Sequence, residues 1–115
     1  MLKCFFFDRD GVLIKNYGYV HEISKLKWLK GSIEAIKFLN KCKIKVIVIT
    51  NQSGIARGYF TEKELLDFHY KMNQMLFKSK AKIDSFYYCP YHPLGKITKY
   101  RKKTNLRKNN SLERT

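Results

Sequence analysis

Apolar residues along this chain fall in three short runs separated by two longer periodic stretches. Leu2 to Phe7 is too apolar to alternate, which predicts a central strand covered on both faces. Ile44 to Ile49, rich in β-branched residues, predicts a second buried strand. Ile83 to Tyr88 predicts a third, shorter and nearer an edge, stopped by Cys89-Pro90-Tyr91-His92-Pro93. Between the first two runs, Ile33, Ile36 and Leu39, with Ala35, Phe38 and Cys42 beside them, repeat at helical spacing to about Lys43. That helix is expected to start at Lys30-Gly31-Ser32, with Ser32 as its N-cap. Thr61-Glu62-Lys63-Glu64 is a capping box. It opens a second helix in which Leu65, His69, Met72, Met75 and Leu76 keep one face to Phe77 or Lys78. His69 in that stripe is expected to be a partly buried structural histidine.

The alternation of strands and helices predicts an α/β fold around a parallel sheet of about three strands. A right-handed crossover would set the carboxyl ends of the first two strands side by side. Both ends are polar. The first strand runs into Asp8-Arg9-Asp10-Gly11 and the second into Thr50-Asn51-Gln52-Ser53-Gly54. Gly11 to Val20, with Asn16, Tyr17, Gly18 and Tyr19, is expected to form a loop or small flap over the first tip. Beyond Leu94 the pattern fades, leaving Ile97, Tyr100 and Leu106 as the only apolar anchors. One domain over 1–108 and a disordered tail over 109–115 are expected.

Composition narrows this picture only slightly. At 115 residues and 44% hydrophobic, the chain can build one core. No stretch of about 18 apolar residues is present, so no membrane span is expected. Leu2 to Phe7 is too short for a secretory leader and meets Asp8, so a cytoplasmic location is expected. Cys4, Cys42 and Cys89 are odd in number and widely spaced, which argues against a disulfide framework. The net charge of +15 is concentrated toward the end: from Gly95 onward eight Lys or Arg face one Glu, a net +7. No nucleic-acid motif accompanies the charge. Solvated lysines, or attraction of a phosphorylated small substrate, account for it as well.

The chemistry sits at the strand tips. Hydrophobic burial would not place two aspartates at the end of a core strand, because each carboxylate costs free energy unless compensated. A divalent cation and a phosphoryl group are the usual compensation, and ligands of open α/β sheets gather beyond the strands' carboxyl ends. Asp8 could attack phosphorus. Asp10, two residues on, could protonate the leaving oxygen and later activate water. Mg²⁺ would screen the carboxylate–phosphate repulsion. Thr50, Asn51 and neighbouring amides could hold phosphate oxygens, with Arg107 and Lys108 adding positive charge. The plain alternative is an Asp-rich turn after a strand.

Asp8-Arg9-Asp10-Gly11, together with Thr50-Asn51-Gln52-Ser53-Gly54-Ile55-Ala56-Arg57-Gly58, resembles the haloacid dehalogenase (HAD) superfamily. Gly18-Tyr19-Val20-His21 and Tyr88-Cys89-Pro90 with Pro93 resemble its branch of heptose 1,7-bisphosphate 7-phosphatases and histidinol-phosphate phosphatases. The resemblance covers Leu2 to Lys108 and implies a HAD-type Rossmann-like sheet with a short flap and no large cap domain. It implies an Mg²⁺-dependent phosphomonoester hydrolase acting on a sugar bisphosphate, as in lipopolysaccharide-precursor metabolism. By the same resemblance Asp8 is the nucleophile and a metal ligand. Asp10 is the general acid–base, with its carbonyl on the metal. Thr50, Asn51, Gln52 and Ser53 bind phosphate. Asn16, Tyr17, Gly18 and Tyr19 form the substrate loop, and Arg107-Lys108 recognise substrate.

Two departures from that pattern carry expectations of their own. The branch often holds a structural zinc through Cys-x-His and a later Cys-x-Cys. Here Cys89 remains, but Tyr91 takes the histidine position, His92 follows it, and Thr104 and Leu106 take the later cysteine positions. A closed four-ligand zinc site is therefore not expected, and Ile97, Tyr100 and Leu106 are expected to hold the loop instead. The family also continues through a further helix and a strand ending in Gly-Asp, whose aspartate completes the Mg²⁺ site. After Asp84 this chain has only Glu113 as an acidic residue. A shortened HAD core is expected, weak or inactive, with Phe5 to Phe7 exposed along one sheet edge. Two rivals stand beside this reading: a nucleic-acid 3′-phosphatase-like domain, and a non-catalytic fragment that associates through its open strand edge.

Overall fold

The computed structural model describes residues 3–101 and 113–115. Strands β1 (Cys4–Asp8), β2 (Lys45–Asn51) and β3 (Ser85–Cys89) alternate with helices α1 (Ser32–Lys41) and α2 (Glu62–Lys78). A short strand β4 (Glu113–Arg114) follows. The sheet order is β1-β2-β3-β4. β1 and β2 are parallel, with Phe6 opposite Ile47 and Asp8 opposite Ile49. β2 and β3 are parallel, with Val48 opposite Phe86 and Asn51 opposite Cys89. The expected α/β architecture is present.

One face of the sheet carries the core. Val46, Val48 and Phe86 meet Ile36 of α1 and Phe68, Met72 and Leu76 of α2. Leu13, Ile14 and Val20 from the loop after β1 close it at the top. Alternation puts Phe6, Ile47, Ile49 and Tyr87 on the opposite face, where none of them is buried. Among the described residues β1 is an edge strand with one open face, where a central strand covered on both was expected. Phe6 is 55% exposed and Phe5 41%.

Several local expectations change in three dimensions. Gly31, at φ 88°, is the N-cap of α1. Ser32 is the first helical residue, and its hydroxyl donates 2.8 Å to the Leu13 carbonyl instead of capping. It thus ties the loop after β1 to the helix. Phe38 and Cys42 lie outside the core, Phe38 being 64% exposed. β2 runs on through Thr50 and Asn51, so these residues are strand and not loop. β3 starts two residues later than expected, because the Val46 amide donates 2.8 Å to the Asp84 carboxylate, a side chain standing where ladder pairing would be. The capping box of α2 is formed as expected, with Thr61 and Glu64 bonded reciprocally. Phe68 occupies the buried stripe of α2 while Met75 is partly exposed.

The end of the chain also departs from a frayed tail. Glu113 and Arg114 pair antiparallel with Tyr88 and Tyr87. Glu113 accepts from the Tyr91 hydroxyl, and the Arg114 guanidinium lies over the Tyr87 ring. The open backbone of the β3 edge supplies the pairing groups. Among the described residues, no helix is long and apolar enough to cross a membrane.

Candidate active site

The carboxyl ends of β1 and β2 lie next to each other, as the crossover requires. Asp8 ends β1, is exposed, and shares a cleft of about 260 Å³ with Phe6, Phe7, Ile49 and Asn51. Asp10 lies inside a turn in which the Arg9 carbonyl accepts from the Leu13 and Ile14 amides. Its carboxylate reaches the second strand through one amide group. Gln52 Nε2 donates 3.1 Å to Asp10 Oδ2 and 2.7 Å to Thr50 Oγ1. The tips thus bring together two neighbouring pairs, Asp8 with Asn51 in one cleft and Asp10 with Thr50 through Gln52. Thr50 and Gln52 are buried, with Gln52 bonded to both Asp10 and Thr50, Asn51 is exposed, and Ser53 is half-buried at the start of the next turn.

The flap expectation has a physical counterpart. Asn16 Oδ1 accepts from the Gly18 amide at 2.8 Å, and Gly18 and Tyr19 both have positive φ, which folds the loop back on itself. The Tyr19 ring meets Tyr59 edge-on at 4.8 Å, and His21 stacks on Phe60 at 4.6 Å. Tyr17, Gly18, Tyr19, Glu22, Lys25 and Tyr59 line a cleft of about 440 Å³ beside the tips. Gly54 permits the contact: a Cβ there would stand 2.3 Å from the Phe60 ring and 3.0 Å from Tyr19. Arg107, Lys108 and Leu106 lie outside the described residues.

The sequence pattern missed Arg9. Between two aspartates it suggests a solvated turn residue, yet its side chain is fully buried. Nε donates to Asp10 Oδ1 at 3.0 Å and Nη2 to Asp10 Oδ2 at 3.2 Å. Nη2 also donates 2.8 Å to the Val20 carbonyl of the flap. Nη1 lies 3.2 Å from His69 Nε2, and the guanidinium sits over the Phe68 ring at 5.1 Å. His69 is fully buried, not partly, and stacks on Phe86 at 4.1 Å. Burial first, and the adjacent guanidinium second, hold its pKa well below the ordinary histidine value. Since a guanidinium only donates, neutral His69 accepts at Nε2 and carries its proton on Nδ1, toward Thr115 Oγ1 at 3.3 Å. Only an i-to-i+60 contact between β1's tip and α2 reveals the pair, and no local signal announces it.

The segment after β3 is held by polar bonds and not by apolar anchors alone. Tyr88 donates to one Glu62 oxygen at 2.6 Å, and Tyr100 donates to the other. The Ile97 amide donates to the Ala56 carbonyl, and Arg101 to Gly95. His92 Nδ1 accepts from the Leu94 amide, and its Nε2 lies 3.2 Å from Arg57. Among the described residues, no group of three His, Cys, Asp or Glu is placed to hold a metal.

The sequence profile of the haloacid dehalogenase-like hydrolases matches residues 5–85. The chain belongs to this family. It is 46% identical over 96 residues to the D-glycero-beta-D-manno-heptose-1,7-bisphosphate 7-phosphatase of Haemophilus influenzae, covering 84% of this chain and 52% of that protein. Among solved structures, a HAD-like protein of Mesorhizobium loti superposes with a TM-score of 0.82 at 29% identity, covering 90% of this chain and 49% of the other. The D,D-heptose 1,7-bisphosphate phosphatase of B. bronchiseptica, complexed with magnesium and phosphate, superposes with a TM-score of 0.75 at 34% identity, covering 81% and 52%. The chain spans about half the length of the curated relatives it matches. The residues matched by the family profile, 5–85, include both strand tips.

Proposed function

We propose that this chain carries the nucleophile-bearing half of a cytoplasmic HAD phosphatase that removes the 7-phosphate of a heptose 1,7-bisphosphate. The observation that carries the reading is the junction of the two strand tips, where Gln52 joins Asp10 to Thr50 beside exposed Asp8. The heptose bisphosphate relatives, identical at up to 46% of aligned positions, supply the substrate class.

Asp8 attacks phosphorus as the phosphate–sugar bond breaks, and Asp10 gives its proton to the departing sugar oxygen. Asp10 then takes a proton from water, which attacks phosphorus, breaks the bond to Asp8 and releases phosphate. Asn51, exposed in the same cleft as Asp8, donates to a phosphate oxygen. Tyr17, Gly18 and Tyr19 contact the sugar from the flap, and Asn16 shapes that turn. Ser53, Arg107 and Lys108 contribute further phosphate contacts.

Mg²⁺ fits this set. The exposed Asp8 carboxylate and the Asp10 carbonyl are hard oxygen donors, and Mg²⁺ takes one or two such ligands with water and phosphate oxygens. The Asp10 carboxylate is engaged by Arg9 and Gln52, and the Asp8 carboxylate with the Asp10 carbonyl would hold the ion. When bound, the ion neutralises charge between Asp8 and the phosphate. No zinc is proposed, since Thr104 and Leu106 stand where a four-ligand site would need its later cysteines.

Phosphate release from heptose 1,7-bisphosphate is the test. Asp8→Asn should abolish it, a loss exceeding about 1000-fold for removal of a nucleophile. Unchanged turnover in that variant would overturn the reading. So would a wild-type chain that neither turns over nor binds orthovanadate in the presence of magnesium.

A further inference from the structure

Arg9 is the largest side chain with no exposed surface in the described residues, and it is charged. Taking a guanidinium out of water costs several kcal/mol unless its donors are matched. Its donors go to three different parts of the molecule. Two meet Asp10 as a fork, one meets the Val20 carbonyl at the end of the flap, and one meets His69 in the middle of α2. Phe68, one residue earlier on α2, supplies the ring beneath it.

The geometry has a direction. Asp10 is only 23% exposed at its side chain, and its oxygens are held from one side by Arg9 and from the other by Gln52. Two planar groups, a guanidinium and an amide, leave the carboxylate one orientation. Neutral His69 braces the guanidinium from behind, because a protonated imidazole could not accept from it. A flap that shifts at Val20 must either lose its bond to Nη2 or carry the guanidinium with it. We infer that Arg9 is a positioning residue. It fixes the Asp10 carboxylate and transmits the position of the 16–21 flap to it, with His69 as the outer brace. This rests on the reading of Asp10 as the acid–base group.

The experiment uses the full chain labelled with ¹³C at aspartate carboxyls. Asp8, Asp10, Asp67 and Asp84 are the only aspartates, so the spectrum resolves Asp10 directly. Arg9→Met keeps volume and removes the charge, and replacing a buried ion by an apolar residue is often tolerated. It should move the Asp10 resonance toward that of a freely hydrated carboxylate and speed Val20 and His21 amide exchange at least about tenfold, as local protection is lost. The Asp84 resonance should stay put. Arg9→Lys keeps the charge but cannot span three partners, and should shift Asp10 in the same way. It decides the matter if Arg9→Met does not fold.

Where the chain turns over, kcat should fall about 100-fold with KM within about threefold, the mark of a misplaced acid–base group. Unchanged Asp10 and flap signals in folded Arg9 variants would overturn the inference. So would recovery of kcat in Arg9→Lys in step with thermal stability, which is what a purely structural role predicts. Asp8→Asn should abolish turnover while leaving the Asp10 signal in place, so failure of the phosphatase reading is distinguishable from failure of this one.

Discussion

Asp10 and Glu62 are each gripped by several donors, and the grips differ in kind. Asp10 is held by a buried guanidinium and an amide, both rigid and planar, reaching it from β1's own tip and from the loop after β2. Glu62 is held by two phenols, Tyr88 of β3 and Tyr100 beyond it, with Lys99 3.9 Å away. The first cluster has its cation sealed off from water, whereas Glu62 opens the first turn of α2, where the helix dipole favours its charge. A sealed guanidinium fixes direction at high desolvation cost, which suits a group that must be aimed. A half-exposed carboxylate bonded to hydroxyls fixes a loop at low cost, which suits an anchor.

The largest effect should come from the wall beneath the first cluster. Phe68→Ala removes core volume and the ring under Arg9, and should cost about 3–5 kcal/mol in chemical denaturation, against a loss confined to the post-β3 segment for changes at Glu62. An effect below about 1 kcal/mol would mean that the Arg9 cluster does not lean on α2.

Next in size is Glu62→Leu. It strands the buried Tyr88 hydroxyl, which should cost about 1–3 kcal/mol. Amide exchange and proteolysis between 92 and 100 should rise while Val20 keeps its protection. Equal loosening at Val20 would erase the distinction between the two clusters.

The smallest effects are on pH dependence, and they separate the clusters by sign. His69 is held neutral by burial and Arg9, so its contribution is present above the ordinary histidine value of about 6.5 and is lost as pH falls below it. Burial raises the pKa of Glu62, but the Tyr100 and Tyr88 hydroxyls and Lys99 outweigh this and leave it below the ordinary 4.5. Its contribution is lost at lower pH still. Tyr100 is pushed up to about 12 by burial and Glu62, so its contribution fades as pH rises from 10 toward that value. The Glu62 and Tyr100 limbs should each be about 1 kcal/mol or less in thermal melts, given solvent screening. His69→Gln should flatten the near-neutral acid limb alone, whereas Glu62→Leu should flatten both the alkaline limb and the limb below about pH 4.5 and leave the near-neutral one in place.

How much of this was legible beforehand follows from range along the chain. The alternation from β1 to β3 was written in apolar runs and helical spacing, because burial of one face imposes a period on neighbouring residues. The capping box was legible because its two partners are three residues apart. Ser32 misled because a hydroxyl at a helix start normally caps, whereas here it meets Leu13, 19 residues earlier. Phe38 and Phe6 misled because an apolar side chain carries no mark of whether anything covers it.

By itself the sequence determined the strand–helix order, the polar character of both strand tips and the family whose motifs they carry. These depend on local periodicity and short spacings. Tertiary structure alone decided that Arg9 is buried, that His69 is its neutral brace, and that Gln52 joins Asp10 to Thr50. Those contacts span 42 and 60 residues, and a residue's partner across such a distance is fixed by how the sheet and helix pack, not by its neighbours in the chain.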